Sequence, residues 1–252
     1  MLRAITVVGV LLGSAVSVGA QTLDDIAVEK AIQAGQDNKF QQWSAECKAG
    51  ASLSERRKAG KTMSWGSGSV HFTGPFHINI ATNSGRVALL AAEAERQQKP
   101  LRVADVPERF RGEGLHVLVE PIKPGTDWGS GVQVPASIDR VVLRSKALPA
   151  AVVQPAAFDT EDATWALDRV LVARSGSVTL LMPPSVVPDG KWEVNLFKKS
   201  RALAVFSVEA VKSLPAGDFE VVVITEPMRD VNQEAGERAC TIRASDRLRL
   251  VS

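Results

Sequence analysis

Three histidines are the side chains of this sequence that could share a metal ion: His71, His77 and His116. His71 and His77 are six residues apart, which is about 20 Å on one straight strand and too far for a common ion. A turn at Gly74-Pro75 could bring them closer, with His116 on a neighbouring strand. Because none of the ligand spacings of zinc sites occurs, we favour histidines on strand faces and predict no metal or cofactor.

Local signatures of nucleophilic catalysis are missing from the sequence. Gly-x-Ser-x-Gly, Ser-x-x-Lys and His-Glu-x-x-His do not occur. A carboxylate pair for glycoside hydrolysis leaves no local signature, however. Four carboxylates are available for such a pair, with no physical reason to choose two: Glu113, Glu120, Asp127 and Asp159. A hydrolase with a motif-free carboxylate site therefore stays open as the alternative function.

Two short segments could bind an ion, but a simpler role explains each. Asp159, Glu161 and Asp162 could gather Ca²⁺, yet no glycine turn and no distal glutamate follow at loop spacing. An acidic helix N-terminus is the favoured interpretation. Asn83-Ser84-Gly85-Arg86 opens a predicted helix whose N-terminus could hold an anion, but helix capping explains these residues without a ligand.

The cysteines that we predict to pair are Cys47 and Cys240, which lie near opposite ends of the sequence. In an exported protein, two isolated cysteines indicate one disulfide rather than two buried thiols. Such a bond would bring the N-terminal segment next to the last strands. A chain-entropy estimate for so long a loop gives about 5 kcal/mol of stabilisation as an upper limit.

Two further groups of residues could contact a ligand. Trp65-Gly66-Ser67-Gly68 recurs as Trp128-Gly129-Ser130-Gly131, and two exposed tryptophans could form a ligand rim. We favour tryptophans that anchor loops. A basic cluster follows a capping-box pattern and could touch acidic polysaccharide or lipid headgroups, although a solvated helix face is favoured: Arg56, Arg57, Lys58 and Lys61.

Residues 1–20 have the pattern of a secretory signal peptide. A basic start is followed by an uncharged apolar run and by small residues ending at Ala20. We therefore expect cleavage near Ala20 and a periplasmic or secreted protein, with no transmembrane segment in the mature chain. The net charge of +2 gives no electrostatic footprint for nucleic acid, which we exclude as a partner.

Hydrophobic periodicity predicts a β-rich α+β fold. An N-terminal helical segment is predicted over 21–61, where Phe40, Trp43 and Cys47 share one helix face. A small strand–helix–strand unit follows over 62–123, with the helix beginning at Asn83-Ser84-Gly85. Residues 124–137 are rich in turn formers and predict a linker.

Residues 138–252 predict an antiparallel β-sandwich, because short apolar runs alternate with Pro and Gly turns. The stretch 160–173 fits either a helix or a strand. Leu214-Pro215-Ala216-Gly217, followed by the strand from Phe219 to Val223, resembles a late loop and strand of immunoglobulin-like sandwiches. The resemblance covers about twenty residues, implies the sandwich architecture and implies no function.

These observations favour a non-enzymatic protein of the cell envelope or extracellular space. Export, a sandwich pattern and missing catalytic motifs are typical of recognition or structural modules. The partner would be another protein or an envelope polysaccharide. The discriminating feature between this function and a hydrolase is a concave pocket that holds two carboxylates or a perturbed histidine.

Overall fold

The computed structural model describes residues 23–40, 44–50, 63–65, 68–72, 76–121, 132–134, 137–162, 171–175, 178–182, 199–226 and 236–246. This part of the chain holds three α-helices: α1 (Asp25–Gln36), α2 (Asn83–Arg96) and α3 (Val208–Ser213). It also holds these strands: β1 (Ser44–Ala49), β2 (Met63–Trp65), β3 (Gly68–Phe72), β4 (Phe76–Thr82), β5 (Leu115–Pro121), β6 (Val132–Val134), β7 (Ile138–Ser145), β8 (Val152–Val153), β9 (Ala157–Glu161), β10 (Leu171–Ser175), β11 (Val178–Met182), β12 (Arg201–Phe206), β13 (Phe219–Thr225) and β14 (Gly236–Ile242).

Two antiparallel sheets form the centre of the molecule. The first has five strands in the order β1-β4-β5-β12-β9, and the second has four in the order β14-β13-β7-β8. The first sheet takes strands from both sides of the predicted linker 124–137, because β12 pairs with β5 and with β9. The division into domains at that linker stays a prediction.

Two smaller sheets complete the described strands. β2 pairs with β3, which pairs in parallel with β6, and β10 pairs antiparallel with β11. β6 lies within the predicted linker. The ambiguous stretch 160–173 begins in β9 and ends in β10, and its middle lies outside the described residues.

The main hydrophobic core lies between the two larger sheets. Alternate residues of the strands point into it, as the period of two requires. The core includes buried side chains from both sheets: Phe76, Ile78, Ile80, Leu115, Val117, Val119, Ala204 and Phe206 from the first, and Val141, Leu143, Phe219, Val221 and Val223 from the second. Each large side chain buried here contributes about 1.5–3 kcal/mol to folding.

A helical layer packs on the other face of the five-stranded sheet. Asp24 caps α1 by accepting from the Ala27 amide at 2.7 Å. The predicted helix from Asn83 is confirmed, but Thr82 is its N-cap and accepts from the Gly85 amide at 3.1 Å. The two helices cross closely at Gly35, where an added Cβ would overlap the Ala88 carbonyl.

The β-rich α+β class is confirmed, but the predicted helix through Cys47 is wrong. Cys47 lies in β1 and pairs in register with Ile78 of β4. Three residues at helical spacing are a short pattern, and pairing with a buried strand outweighs it. Cys47 therefore faces the core between the sheets through strand alternation.

Candidate functional site

Strand alternation places a polar cluster on the outer face of the five-stranded sheet, which is the face turned away from the main core. His77 of β4 lies opposite Glu120 of β5, and Asn79 is the next outward residue of β4. Arg201 of β12 lies opposite Glu161 of β9. Four strands thus contribute charged or polar side chains to one end of this face.

Helices α1 and α2 cover the other end of the same face. Their apolar residues pack there against Leu203, the short helical turn Glu108–Phe110 and neighbouring side chains. The polar end is left as a groove of about 290 Å³ between α2, this turn and the sheet. That volume is close to the lower limit of small-molecule sites, which span about 300–1,000 Å³.

A chain of ion pairs runs along one wall of this groove. Arg201 Nε lies 3.0 Å from Glu120 Oε1, and Arg201 Nη1 donates to Glu161 Oε2 at 3.2 Å. Arg109 Nη1 donates to the other Glu161 oxygen at 3.2 Å, and its guanidinium lies over the Phe110 ring. All four charged side chains are between 39% and 48% exposed, so each pair contributes little to stability.

Arg86 forms the floor of the groove and differs from these arginines. Its side chain comes from the first turn of α2 and is only 5% exposed. Nη2 donates to Asn79 Oδ1 at 2.8 Å and to the Asn79 backbone oxygen at 3.5 Å, while Nε, like that of Arg201, has no hydrogen-bond partner. Burial lowers the pKa of Arg86 to about 10; Glu120 and Glu93 raise it and Arg201 lowers it. The guanidinium is therefore charged at neutral pH.

The two described histidine side chains have separate environments. His77 is partly exposed and lies 3.5 Å from Glu46 across the groove edge. His116 is fully buried, next to Phe110, with Nε2 3.1 Å from the Gly112 carbonyl oxygen. Burial lowers the pKa of His116 to about 4, opposed by the Gly112 hydrogen bond and assisted by the positive Arg86.

The histidines do not converge on a metal site. His116 pairs with Ala81, four positions along β4 from His77, which corresponds to about 13 Å. His71 lies in β3 of a different sheet. Among the described residues no group of three or more His, Cys, Asp or Glu side chains could hold a metal ion.

The predicted disulfide is confirmed. Cys47 of β1 and Cys240 of β14 are bonded, with their Cα atoms 6.3 Å apart. The bond therefore joins the edge strands of the two main sheets. In the described part of the chain, no helix is long and apolar enough to cross a membrane.

The other candidate residues fall in different places. Trp65 ends β2, whereas Trp128 and the basic cluster Arg56, Arg57, Lys58 and Lys61 lie outside the described residues, as do residues 1–20 and Asp127.

Of the carboxylates, Glu120 lines the groove, and Glu113 and Asp159 are exposed elsewhere. Asp159 and Glu161 lie in β9, so the predicted acidic helix N-terminus is wrong at these residues. Glu161 pairs with arginines, and Asp162 accepts from the Lys199 amide. At the start of α2, the N-cap Thr82 accepts from the Gly85 amide and Asn83 accepts from the Ser84 amide, so side chains of the helix start serve two of its first amides without a ligand.

Three groove residues were not predicted to act together: Arg86, Arg109 and Arg201. Alternation along 115–119 does indicate an outward Glu120. No local pattern indicates that Arg201, some eighty residues later, lies beside it.

Comparisons with known protein families, with curated proteins and with solved structures found no match to this chain. Its function is therefore argued from the groove alone.

Proposed function

We propose that this protein is a non-enzymatic recognition module that binds a small polar ligand in the groove between α2 and the five-stranded sheet. The observation that carries the proposal is the concave, charged surface that the helices leave open on an otherwise packed sheet. Open charged surface inside a groove gives no packing energy to the fold. It does give a ligand several hydrogen-bonding groups at once.

The cell envelope or extracellular space is the location we propose, after removal of residues 1–20. The Cys47–Cys240 disulfide supports this, since such bonds persist in oxidising compartments. We likewise propose that the sheets form an immunoglobulin-like sandwich. Two antiparallel sheets around one core support it, together with the turn from Leu214 at the end of α3 into Phe219 of β13.

A hydrolase that uses Glu120 and Glu161 is the second candidate function, because both carboxylates line the same groove. It ranks second because both are already paired with Arg201, and a general acid must hold a proton to donate. Turnover of aryl glycosides by the wild-type protein, lost in Glu120→Gln, would favour this candidate over the recognition module.

The recognition function is tested by blocking the groove. Purified residues 21–252 are screened by thermal unfolding against neutral sugars, sugar acids, amino acids and polyamines, since a bound ligand raises the midpoint. Leu90→Trp places a large side chain in the groove wall, and we expect it to remove the shift. Leu148→Trp is the matched control, because Leu148 is an exposed leucine outside the groove.

A shift that Leu90→Trp abolishes and Leu148→Trp preserves supports the proposal. A shift that survives in Leu90→Trp, or no shift with any compound, would contradict it. The unfolding midpoint of each variant without ligand shows whether it is folded.

A further inference from the structure

Arg86 is a buried cation without an acidic partner. It is 5% exposed and lines the groove, and its one close side-chain contact is the neutral amide of Asn79. Among the described residues, no carboxylate lies within ion-pair distance (4.0 Å) of the Arg86 guanidinium, and Nε has no hydrogen bond. The other groove arginines that we have described, Arg109 and Arg201, are both paired with glutamates.

This arrangement costs the fold stability. An isolated buried charge loses its hydration, and the hydrogen bonds from Nη2 to the side-chain and backbone oxygens of Asn79 replace little of it. An anionic group of a ligand would supply the missing partner.

The charges around Arg86 select the kind of anion. Glu120 and Glu93 are close enough to affect the guanidinium electrostatically, so they disfavour a dianion such as a phosphate monoester more strongly than a monoanion. Arg201 pairs directly with Glu120 and Glu161, whereas the Arg86 guanidinium has no carboxylate at ion-pair distance among the described residues. A single carboxylate would give Arg86 that direct partner.

The groove walls indicate what the rest of the ligand carries. Glutamate oxygens of Glu46, Glu93 and Glu120 are hydrogen-bond acceptors and would accept from hydroxyl groups. Leu118, which is partly buried, lines the same groove and offers apolar surface to the C–H face of a sugar ring.

Resting on the proposed function of the groove, we propose that its ligand is a hydroxylated monocarboxylate, a sugar acid, whose carboxylate binds the Arg86 guanidinium. The remaining hydroxyl groups donate to the glutamates of the groove wall. The ligand thereby replaces the acidic partner that the chain itself does not provide.

The test is a calorimetric titration of residues 21–252 at pH 7 with D-glucuronate, D-glucose and D-glucose 6-phosphate. The three probes share the hydroxylated ring and differ in charge. We expect glucuronate to bind at least tenfold more tightly than either of the others, since a charge-assisted hydrogen bond to a buried guanidinium is a strong one.

Asn79→Asp is the decisive variant because it replaces only the side-chain amide nitrogen by an oxygen. The oxygen that accepts from Arg86 is kept. The new carboxylate lies where Asn79 Oδ1 already accepts from Nη2 at 2.8 Å and neutralises the guanidinium. We expect a folded protein that has lost the preference for glucuronate. Arg140→Gln is the control, because it also lowers the net charge by one and lies on an exposed, paired arginine of β7.

Each outcome decides the inference. Equal affinities for glucuronate and glucose, tighter binding of glucose 6-phosphate, no binding of glucuronate, or an unchanged preference in a folded Asn79→Asp protein would overturn it. If glucose binds as tightly as glucuronate and Leu90→Trp removes the binding of both, the sugar-acid inference fails while the groove function stands. If glucuronate binds equally well to Leu90→Trp, the groove function itself fails.

Discussion

Cys47 and Cys240 connect the two sheets at their edges: Cys47 lies in β1 at one edge of the five-stranded sheet, and Cys240 lies in β14 at one edge of the four-stranded sheet. The bond closes a loop of 193 residues and packs against the core that the sheets share. It therefore links the two sheets that enclose the main core.

Removing this disulfide should destabilise the protein strongly. We expect Cys47→Ala/Cys240→Ala to lower the free energy of unfolding by about 3–5 kcal/mol, because the unfolded chain regains the entropy of a very long loop. Urea unfolding of the oxidised wild type and the double variant measures the difference. Reduced wild type is the control and should resemble the variant. A loss below about 1 kcal/mol would show that the sheets do not need the bond.

Gly35→Ala should damage the contact between α1 and α2. The added Cβ would overlap the backbone oxygen of Ala88, which cannot move aside as a flexible side chain does. We expect a loss of about 1–3 kcal/mol in the free energy of unfolding. Gly112→Ala is the matched control, since nothing lies near its added Cβ. Equal stability of the two variants would mean that the helices cross less closely than described.

His116 should make the protein less stable in mild acid. Its folded pKa of about 4 lies below the ordinary value of 6.5, so the unfolded chain binds the proton first as the pH falls. Stability is full above pH 6.5 and decreases towards pH 4, by about 3 kcal/mol from this residue.

Urea unfolding between pH 4 and pH 7.5 tests this with His116→Gln, whose amide can still donate to the Gly112 carbonyl oxygen. We expect the variant to show a shallower loss of stability across this range, because the side chain that titrates is gone. The carboxylates are common to both proteins and cancel in the comparison. Parallel pH profiles would contradict the buried, neutral state of His116.

Arg201 should matter little to folding although it links two glutamates. Its side chain is 41% exposed, and ion pairs in that environment contribute about 0–1 kcal/mol each. We therefore expect Arg201→Gln to change the free energy of unfolding by less than about 1 kcal/mol, measured by urea unfolding. A loss of free energy of unfolding above about 2 kcal/mol would indicate that the ion pairs hold β5, β9 and β12 together. Arg201 would then have a structural role and would not merely be part of the groove surface.

Local sequence patterns predict an element correctly where the fold buries the face that the pattern marks as apolar. Alternation in Leu115–Val119 predicts β5, and the apolar stripe of Val87 and Ala91 predicts α2, because each buries one face. The same method fails at Cys47. There the residues that decide the structure are those of β4, with which β1 pairs.

The groove could not be predicted because it depends on sheet order. Glu161 follows Glu120 by about forty residues and Arg201 follows Glu161 by about forty more, and only the pairing of β12 with both β5 and β9 brings the three together. Arg86 lies in the first turn of α2, where helix capping explains the local sequence without a ligand. Its burial depends on packing against Asn79 of β4, which no local pattern contains.

The most direct test of the groove as the ligand site is a crystal structure of residues 21–252 bound to the tightest ligand from the thermal screen. We expect the ligand between α2 and the outer face of the five-stranded sheet, in contact with residues such as Arg86 and Glu120. A ligand bound at another surface, with this groove unoccupied, would contradict the proposed function.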